Sequence, residues 1–396
     1  MFIINPYILG TVPDPVAIGT IKSDNFAGNL SAYSVTNGSG TISIVGGKLR
    51  LTGGVGDFGS YIQFSDAASP HRLSMLEKWK ISITFVTPTI SSTTYGLSMG
   101  MRSTNAFTQL DNMVRLSMDT GSPLGSFYFY TAQNHGAPNQ DVQSSFSLSS
   151  ATTYIYEVER NKNQITATLR NSVGTLLNTV TKTYNITTTN GVWSSNVGRF
   201  CIWNHGGTID ISSLTITSDS LRYATFMGCG DSNMHGLYAT TNANRYTEKS
   251  ATIKGYPFEI LAGIDQGVGD VLSYLDQIIY MAPRKVYLNC VSNSIANGVS
   301  AGTYQADYQT LVTGIKTALP ATTIYHGIPV ARGANYTSLW TNFLSSTYPG
   351  EPQVNLFLVT KNAGNDNIQS GLTAGDNIHM NVAGNNTCEP ILTAAI

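Results

Sequence analysis

Near Ser218-Asp219-Ser220 the hydrophobic pattern of this chain changes period. Upstream, apolar and polar residues alternate in short runs separated by Gly, Asn and Ser. Examples are Thr41-Ile42-Ser43-Ile44-Val45, Lys80-Ile81-Ser82-Ile83-Thr84-Phe85, Tyr154-Ile155-Tyr156-Glu157-Val158 and Gln164-Ile165-Thr166-Ala167-Thr168-Leu169. A period of two marks a strand with one buried face. Many such strands in succession predict a sandwich or jelly roll. Downstream, apolar runs become continuous and alternate with helical spacing. Strands are expected over 223–229, 258–264, 285–291, 323–330 and 354–359. Helices are expected over 268–282 and 304–319, the second stopped by Pro320, with a short terminal helix beyond Asn381. That alternation predicts a parallel sheet of about five strands with helices on both faces. The chain is therefore read as multidomain: an apolar N-terminal arm over 1–20, or a first edge strand there, then an all-β jelly-roll sandwich over 21–219, and an α/β domain over 220–396.

Charged residues make up only 11% of the chain, and the net charge is -1. No basic face is expected for nucleic acid or for an anionic membrane. Cys201, Cys229, Cys290 and Cys388 are far apart, with no zinc-type spacing. Buried free thiols are expected, and no metal or cofactor. The opening Met1-Phe2-Ile3-Ile4-Asn5-Pro6 lacks a basic n-region and an apolar core, so neither a secretory leader nor membrane insertion is expected.

Three short segments carry the chemistry. Ser232 follows the first downstream strand, preceded by Gly228 and Gly230, at the expected start of a helix. A serine there can cap the helix or attack a carbonyl with backbone N–H groups facing the oxyanion. Asp376 and His379 decide between these uses. A serine nucleophile needs a base, and the base needs a carboxylate to set its tautomer. A separation of three residues lets a tight turn bring both together. Asn293, after the third strand, supplies a side-chain amide for the same oxyanion. The loop after the second strand holds Gly263, Gly267 and Gly269; the Gly267 N–H is taken as a further donor, with Gly269 as the alternative. Asp231 and His235 are expected to line the substrate cleft. His326 is read as a hydrogen-bonded core histidine. Glu157 and Glu159 alternate on one strand and are read as a solvated face. Trp79, Trp193, Trp203 and Tyr130 are candidates for stacking on sugars, against core packing.

Gly230-Asp231-Ser232-Asn233-Met234-His235-Gly236, Asn293 and Asp376-Asn377-Ile378-His379 together resemble the blocks of the SGNH (GDSL-type) hydrolases, over residues from about 222 to the C-terminus. The third block departs from the pattern, since Val291-Ser292-Asn293-Ser294 lacks both its leading glycine and its following aspartate. The resemblance implies a flavodoxin-like sheet, Ser232 as nucleophile, His379 as base, Asp376 as its orienter, and an oxyanion hole from the Ser232 N–H, a glycine N–H and Asn293. The order of segments over 24–219, including "GGKLRLTG" and "GTIDISSLTITSD", resembles concanavalin-like lectin and glucanase sandwiches. A chain without a leader, with an arm, a sandwich and a hydrolase domain, also resembles phage tail-spike or tail-fibre modules.

The expected function is that of a serine esterase removing acyl groups, above all acetyl, from a polysaccharide. The expected place is extracellular or on a virion. The expected partners are an acetylated polysaccharide and either further copies of the chain or a virion tail assembly. Two alternatives stay open: a non-catalytic glycan-binding, adhesive or structural virion protein with a relic hydrolase fold, and a lipase or thioesterase.

Overall fold

The computed structural model describes residues 13–31, 33–36, 40–53, 61–64, 76–87, 95–102, 113–118, 124–129, 143–183, 199–332 and 338–396. The chain divides into two compact units, one built around Ile18–Tyr184 and reaching Asp219, the other built around Ser220–Ile396.

The first unit is all-β among its described residues. Its strands are β1 (Val16–Asp24), β2 (Tyr33–Thr36), β3 (Thr41–Val45), β4 (Lys48–Thr52), β5 (Tyr61–Phe64), β6 (Lys78–Val86), β7 (Tyr95–Arg102), β8 (Met113–Met118), β9 (Leu124–Phe129), β10 (Gln143–Ser147), β11 (Thr153–Asn161), β12 (Gln164–Asn171), β13 (Leu176–Thr183), β14 (Arg199–Gly206) and β15 (Thr208–Arg222). One sheet runs β13-β12-β11-β6-β15-β4-β3, with β1 beside β15; the other runs β10-β9-β8-β7-β14-β5-β2. The alternation seen in the sequence is the reason for the layering. In β6, Trp79, Ile81, Ile83 and Phe85 point inward and are buried, while the residues between them are partly exposed. Each fully buried aliphatic or aromatic side chain of this kind is worth about 1.5–3 kcal/mol. The sheets meet face to face: the Tyr156 hydroxyl of β11 donates to the Val114 carbonyl of β8 at 2.9 Å, and its ring stacks on Phe127 of β9 at 5.9 Å.

Of the two readings of the N-terminal stretch, residues 16–20 are strand, the start of β1. Trp79 and Trp203 are core residues, 2% and 1% exposed, and Trp79 meets Phe200 edge-on at 5.3 Å. Neither offers a face to a sugar. Residues 1–12, Tyr130 and Trp193 lie outside the described residues. Glu157 is held by Lys80 (2.6 Å) and Arg170 (3.1 Å), and Glu159 is exposed.

The second unit holds a five-stranded parallel sheet of β16 (Phe226–Gly230), β17 (Phe258–Ala262), β18 (Lys285–Asn289), β19 (Thr323–Ile328) and β20 (Gln353–Asn355), in the order β17-β16-β18-β19-β20. Numbered within the sheet, this is 2-1-3-4-5, the flavodoxin-like order. All five residues of β16 are buried, as expected for a central parallel strand covered on both faces. The helices are α1 (Ser232–His235), α2 (Tyr246–Lys254), α3 (Val268–Leu272), α4 (Leu275–Met281), α5 (Val291–Ala296), α6 (Ala301–Ala318), α7 (Ser338–Thr347), α8 (Phe357–Thr360) and α9 (Val382–Ala395). A two-stranded ribbon, β21 (Lys361–Asn362) with β22 (Asn365–Ile368), follows α8.

In α6 the residues Tyr304, Tyr308, Leu311, Val312 and Ile315 form one buried stripe; Ser300 caps it through the Thr303 N–H at 3.2 Å, and Leu319, which precedes Pro320, ends it. The helix expected over 268–282 is two helices broken at Ser273-Tyr274. The fifth strand is short: Gln353–Asn355 pairs with β19, and the apolar run after it coils into α8. No helix among the described residues is long and apolar enough to cross a membrane. The four cysteines are free and buried.

Candidate active site

In a 2-1-3-4-5 parallel sheet the order of strand addition reverses between the first and third strands, and the ligand crevice opens at their carboxyl ends. Here those strands are β16 and β18, which are neighbours. Ser232 stands two residues beyond β16, and Asn293 four residues beyond β18. The approach is tight. A Cβ on Gly230 would lie 2.2 Å from the Asn289 carbonyl oxygen, so only glycine lets the two strand ends run so close.

The turn after β16 is a single helical turn. Asp231 is its N-cap, and its Oδ1 accepts from the N–H groups of Asn233 (3.0 Å) and Met234 (3.4 Å). Gly236, at φ +81°, closes the turn. The capping role thus belongs to Asp231, and the Ser232 hydroxyl is left for another partner. That partner is His379: Ser232 Oγ lies 2.9 Å from Nε2. The other ring nitrogen, Nδ1, lies 2.5 Å from Asp376 Oδ2. An ionised carboxylate only accepts, so Nδ1 carries the proton and Nε2 is free to accept from the serine hydroxyl.

The turn that joins Asp376 to His379 is built by its side chains. Asp376 Oδ1 accepts from the N–H groups of Ile378 and His379, both at 2.9 Å, and Asn377 takes the left-handed conformation at φ +59°. Burial works to raise the Asp376 carboxyl. The hydrogen bonds from the His379 backbone, its ring and the Ile378 N–H outweigh it, so the carboxyl titrates below its usual range. Tyr238, itself at φ +66°, sets its ring 5.4 Å from the imidazole.

Asn293 sits on α5, not in a turn. Its Oδ1 accepts from Arg332 Nη1 at 3.0 Å, and its Nδ2 donates to the Gln266 carbonyl at 3.1 Å. The cation and the carbonyl fix which end of the amide is which. One of the two Nδ2 hydrogens is committed to Gln266, and the second remains to donate. Arg332 and Gln266 therefore hold the Asn293 amide in one orientation. Sequence inspection gives no sign of either.

Three of the expected site residues are held by other contacts in the structure. The Gly267 N–H donates to Asp270 Oδ2 at 2.8 Å, closing the N-terminus of α3, so this donor is already committed. Its alternative, Gly269, opens toward Asp307, whose Oδ2 would lie 3.5 Å from an added Cβ. Asp231 is held as the cap of α1 by the Asn233 and Met234 N–H groups; burial raises its carboxyl to about 6, against those two N–H groups and the charges of His379 and Arg332. His235 is 3% exposed, with Nδ1 at 3.2 Å from the Ala262 carbonyl, and packs α1 onto β17. His326 is fully buried between the Tyr308 hydroxyl (2.9 Å) and Glu351 (3.0 Å), away from this chemistry.

No protein-family model matches the chain, and no curated protein matches it. Among solved structures, a family two carbohydrate esterase from Cellvibrio japonicus is similar at 10% identity and a TM-score of 0.36, over 94% of this chain and 96% of that one. A carbohydrate esterase of the Shiga toxin-encoding bacteriophage phi24B is similar at 13% identity and a TM-score of 0.35, over 51% of this chain and 99% of that one. The CBM2 module of the Dit protein of Lactobacillus casei BL23 phage J-1 is similar at 12% identity and a TM-score of 0.36, over 50% of this chain and 94% of that one. The fold stands on its own sheet order, and the site on its own distances. A hydroxyl, an imidazole and a carboxylate in line can generate a serine nucleophile.

Proposed function

We propose that the chain is a serine esterase that removes acyl groups, chiefly acetyl, from a polysaccharide through an acyl-enzyme. Ser232 Oγ attacks the ester carbonyl while His379 Nε2 takes its proton. Asp376 keeps the Nδ1 hydrogen in place and stabilises the imidazolium that forms. The oxyanion is received by the Ser232 N–H and the second Nδ2 hydrogen of Asn293. The imidazolium then protonates the departing sugar oxygen. Water, activated by the same imidazole, releases the acid and frees Ser232. The observation that carries this reading is the pair of contacts at His379: 2.9 Å to Ser232 Oγ on one side and 2.5 Å to Asp376 on the other.

The polysaccharide follows from the pairing of an esterase site with a lectin-like sandwich in one chain. The same pairing supports a place on a phage tail, where the enzyme would trim a surface glycan. p-Nitrophenyl acetate hydrolysis tests the reaction: the wild type turns over, and Ser232→Ala loses on the order of 10⁴-fold or more. Equal rates would remove the esterase reading. Acetate release from a panel of acetylated polysaccharides then identifies the substrate. Rates that instead rise with acyl chain length would favour a lipase or thioesterase.

A further inference from the structure

The residue after the nucleophile is joined to the segment that carries the base. Asn233 is 3% exposed, and its side-chain amide crosses to the loop 147 residues away at two points. Its Nδ2 donates to the Ile378 carbonyl at 3.2 Å, and its Oδ1 accepts from the Met380 N–H at 3.0 Å. These are the backbone groups immediately before and after His379. The amide bonds to that loop as one residue of a parallel strand bonds to its neighbour, with its donor to the residue before and its acceptor to the residue after.

The remaining backbone groups at His379 are held from within the loop. The His379 N–H donates to Asp376 Oδ1 at 2.9 Å, and the His379 carbonyl accepts from the Ala374 N–H at 2.9 Å. Both peptide units flanking the histidine are therefore tied on both sides, which fixes the direction of its Cα–Cβ bond. The Asn233 backbone is itself fixed, since its N–H is capped by Asp231. A rigid path thus runs from Asp231 through Asn233 to the loop, alongside the Ser232–His379 contact.

We infer that Asn233 is a positioning residue that sets the distance between the Ser232 hydroxyl and the His379 ring, through its two hydrogen bonds to Ile378 and Met380. The inference rests on the esterase reading for its catalytic consequence, but not for its structural one. Asparagine is suited to the task by its chemistry. Aspartate keeps the acceptor and loses the donor, alanine loses both, and glutamine is one methylene longer.

The test uses the full chain with Asn233→Ala and Asn233→Asp, read by kcat and KM for p-nitrophenyl acetate and by hydrogen exchange at the Met380 amide. In Asn233→Ala we expect kcat to fall about 10- to 100-fold with KM within threefold, because misplacement by about 1 Å costs rate rather than affinity. Protection at Met380 should fall at least tenfold. Asn233→Asp should keep Met380 protected, having retained the acceptor, while kcat still falls because the tie to Ile378 is gone. A kcat within twofold of the wild type in either variant would overturn the inference. So would a lower kcat in Asn233→Ala with unchanged Met380 exchange. If alanine prevents folding, the aspartate variant decides on the same readouts. If the wild type hydrolyses no ester, the esterase reading fails separately, and unchanged Met380 protection in Asn233→Ala would still refute the clamp.

Discussion

The two units differ in where they gather buried polar side chains. In the sandwich, the inward faces of β6 and β11 are lined by Trp79, Ile81, Ile83, Phe85, Tyr154, Tyr156 and Val158, buried polar residues such as Ser98, Arg160 and Asn204 are scattered over different strands, and the charges of Glu157, Lys80 and Arg170 pair on the outer face. In the α/β unit, the carboxyl ends of β16, β17 and β18 bury Asp231, Ser232, Asn233, His235, Gln266, Asn289, Ser292, Asn293 and Ser294 within a few turns of one another. Burying a polar group is costly unless it is hydrogen-bonded. A sandwich can avoid that cost by sending polar residues outward on alternate positions. The sheet edge accepts it, and does so where the fold opens its crevice. Buried polarity that is concentrated in one place and cross-linked is what separates a site from a scaffold.

Changes at the sheet edge should therefore be severe, and changes on the sandwich face slight. The largest effect beyond loss of the nucleophile itself is expected for Asp376→Asn, which presents the wrong imidazole tautomer to Ser232. Its kcat should fall about 10⁴-fold with the melting curve unchanged; near-normal turnover would deny Asp376 its role. Asn293→Ala should lower kcat by about 10²- to 10³-fold by removing one oxyanion donor. A change confined to KM would place Asn293 in ground-state binding instead.

Asp231→Asn addresses stability rather than rate. The folded carboxyl titrates near 6 and the unfolded one near its usual value of about 3.9, so the folded state binds more protons between them. The wild type's stabilising contribution is complete below the unfolded value and is lost as pH rises through the folded one. Relative to Asp231→Asn, which keeps a capping oxygen, the wild type should lose up to about 3 kcal/mol between pH 4 and pH 7 in chemical denaturation. A pH-independent difference would show that burial of Asp231 is relieved in solution. The smallest effect is expected in the sandwich: Glu157→Gln should cost less than about 1 kcal/mol and leave ester hydrolysis unchanged. A large loss of activity there would erase the contrast between the units.

Much of this was readable in the sequence because it depends on periodicity. The alternation in 80–85 and 154–158 falls in β6 and β11, and the strands expected over 223–229 and 285–291 are found at Phe226–Gly230 and Lys285–Asn289. Periodicity fails where length decides: the apolar run at 354–359 could be strand or helix, and three residues pair before the rest coils. Helix α7 was not among the expected elements, although its buried Trp340 and Leu344 stand four residues apart, at helical spacing. In the site, Ser232, Asp376 and His379 stood out because a tight turn and three kinds of functional group were visible in short segments. The contacts of Asp231 and His235 were not visible: the first caps α1, and the second meets the Ala262 carbonyl. Arg332, Gln266 and the part played by Asn233 could not be found either. Each acts through contacts to residues tens to more than a hundred positions away, with no local spacing to betray them.

The central claim is tested most directly by trapping the intermediate. Rapid acid quench during p-nitrophenyl acetate turnover, followed by peptide mass analysis, should find one acetyl group on the Ser232 side chain of the wild type and none in Ser232→Ala. Acetate release at full rate with no acetyl on Ser232, or with the acetyl on another residue that Ser232→Ala leaves active, would contradict the account.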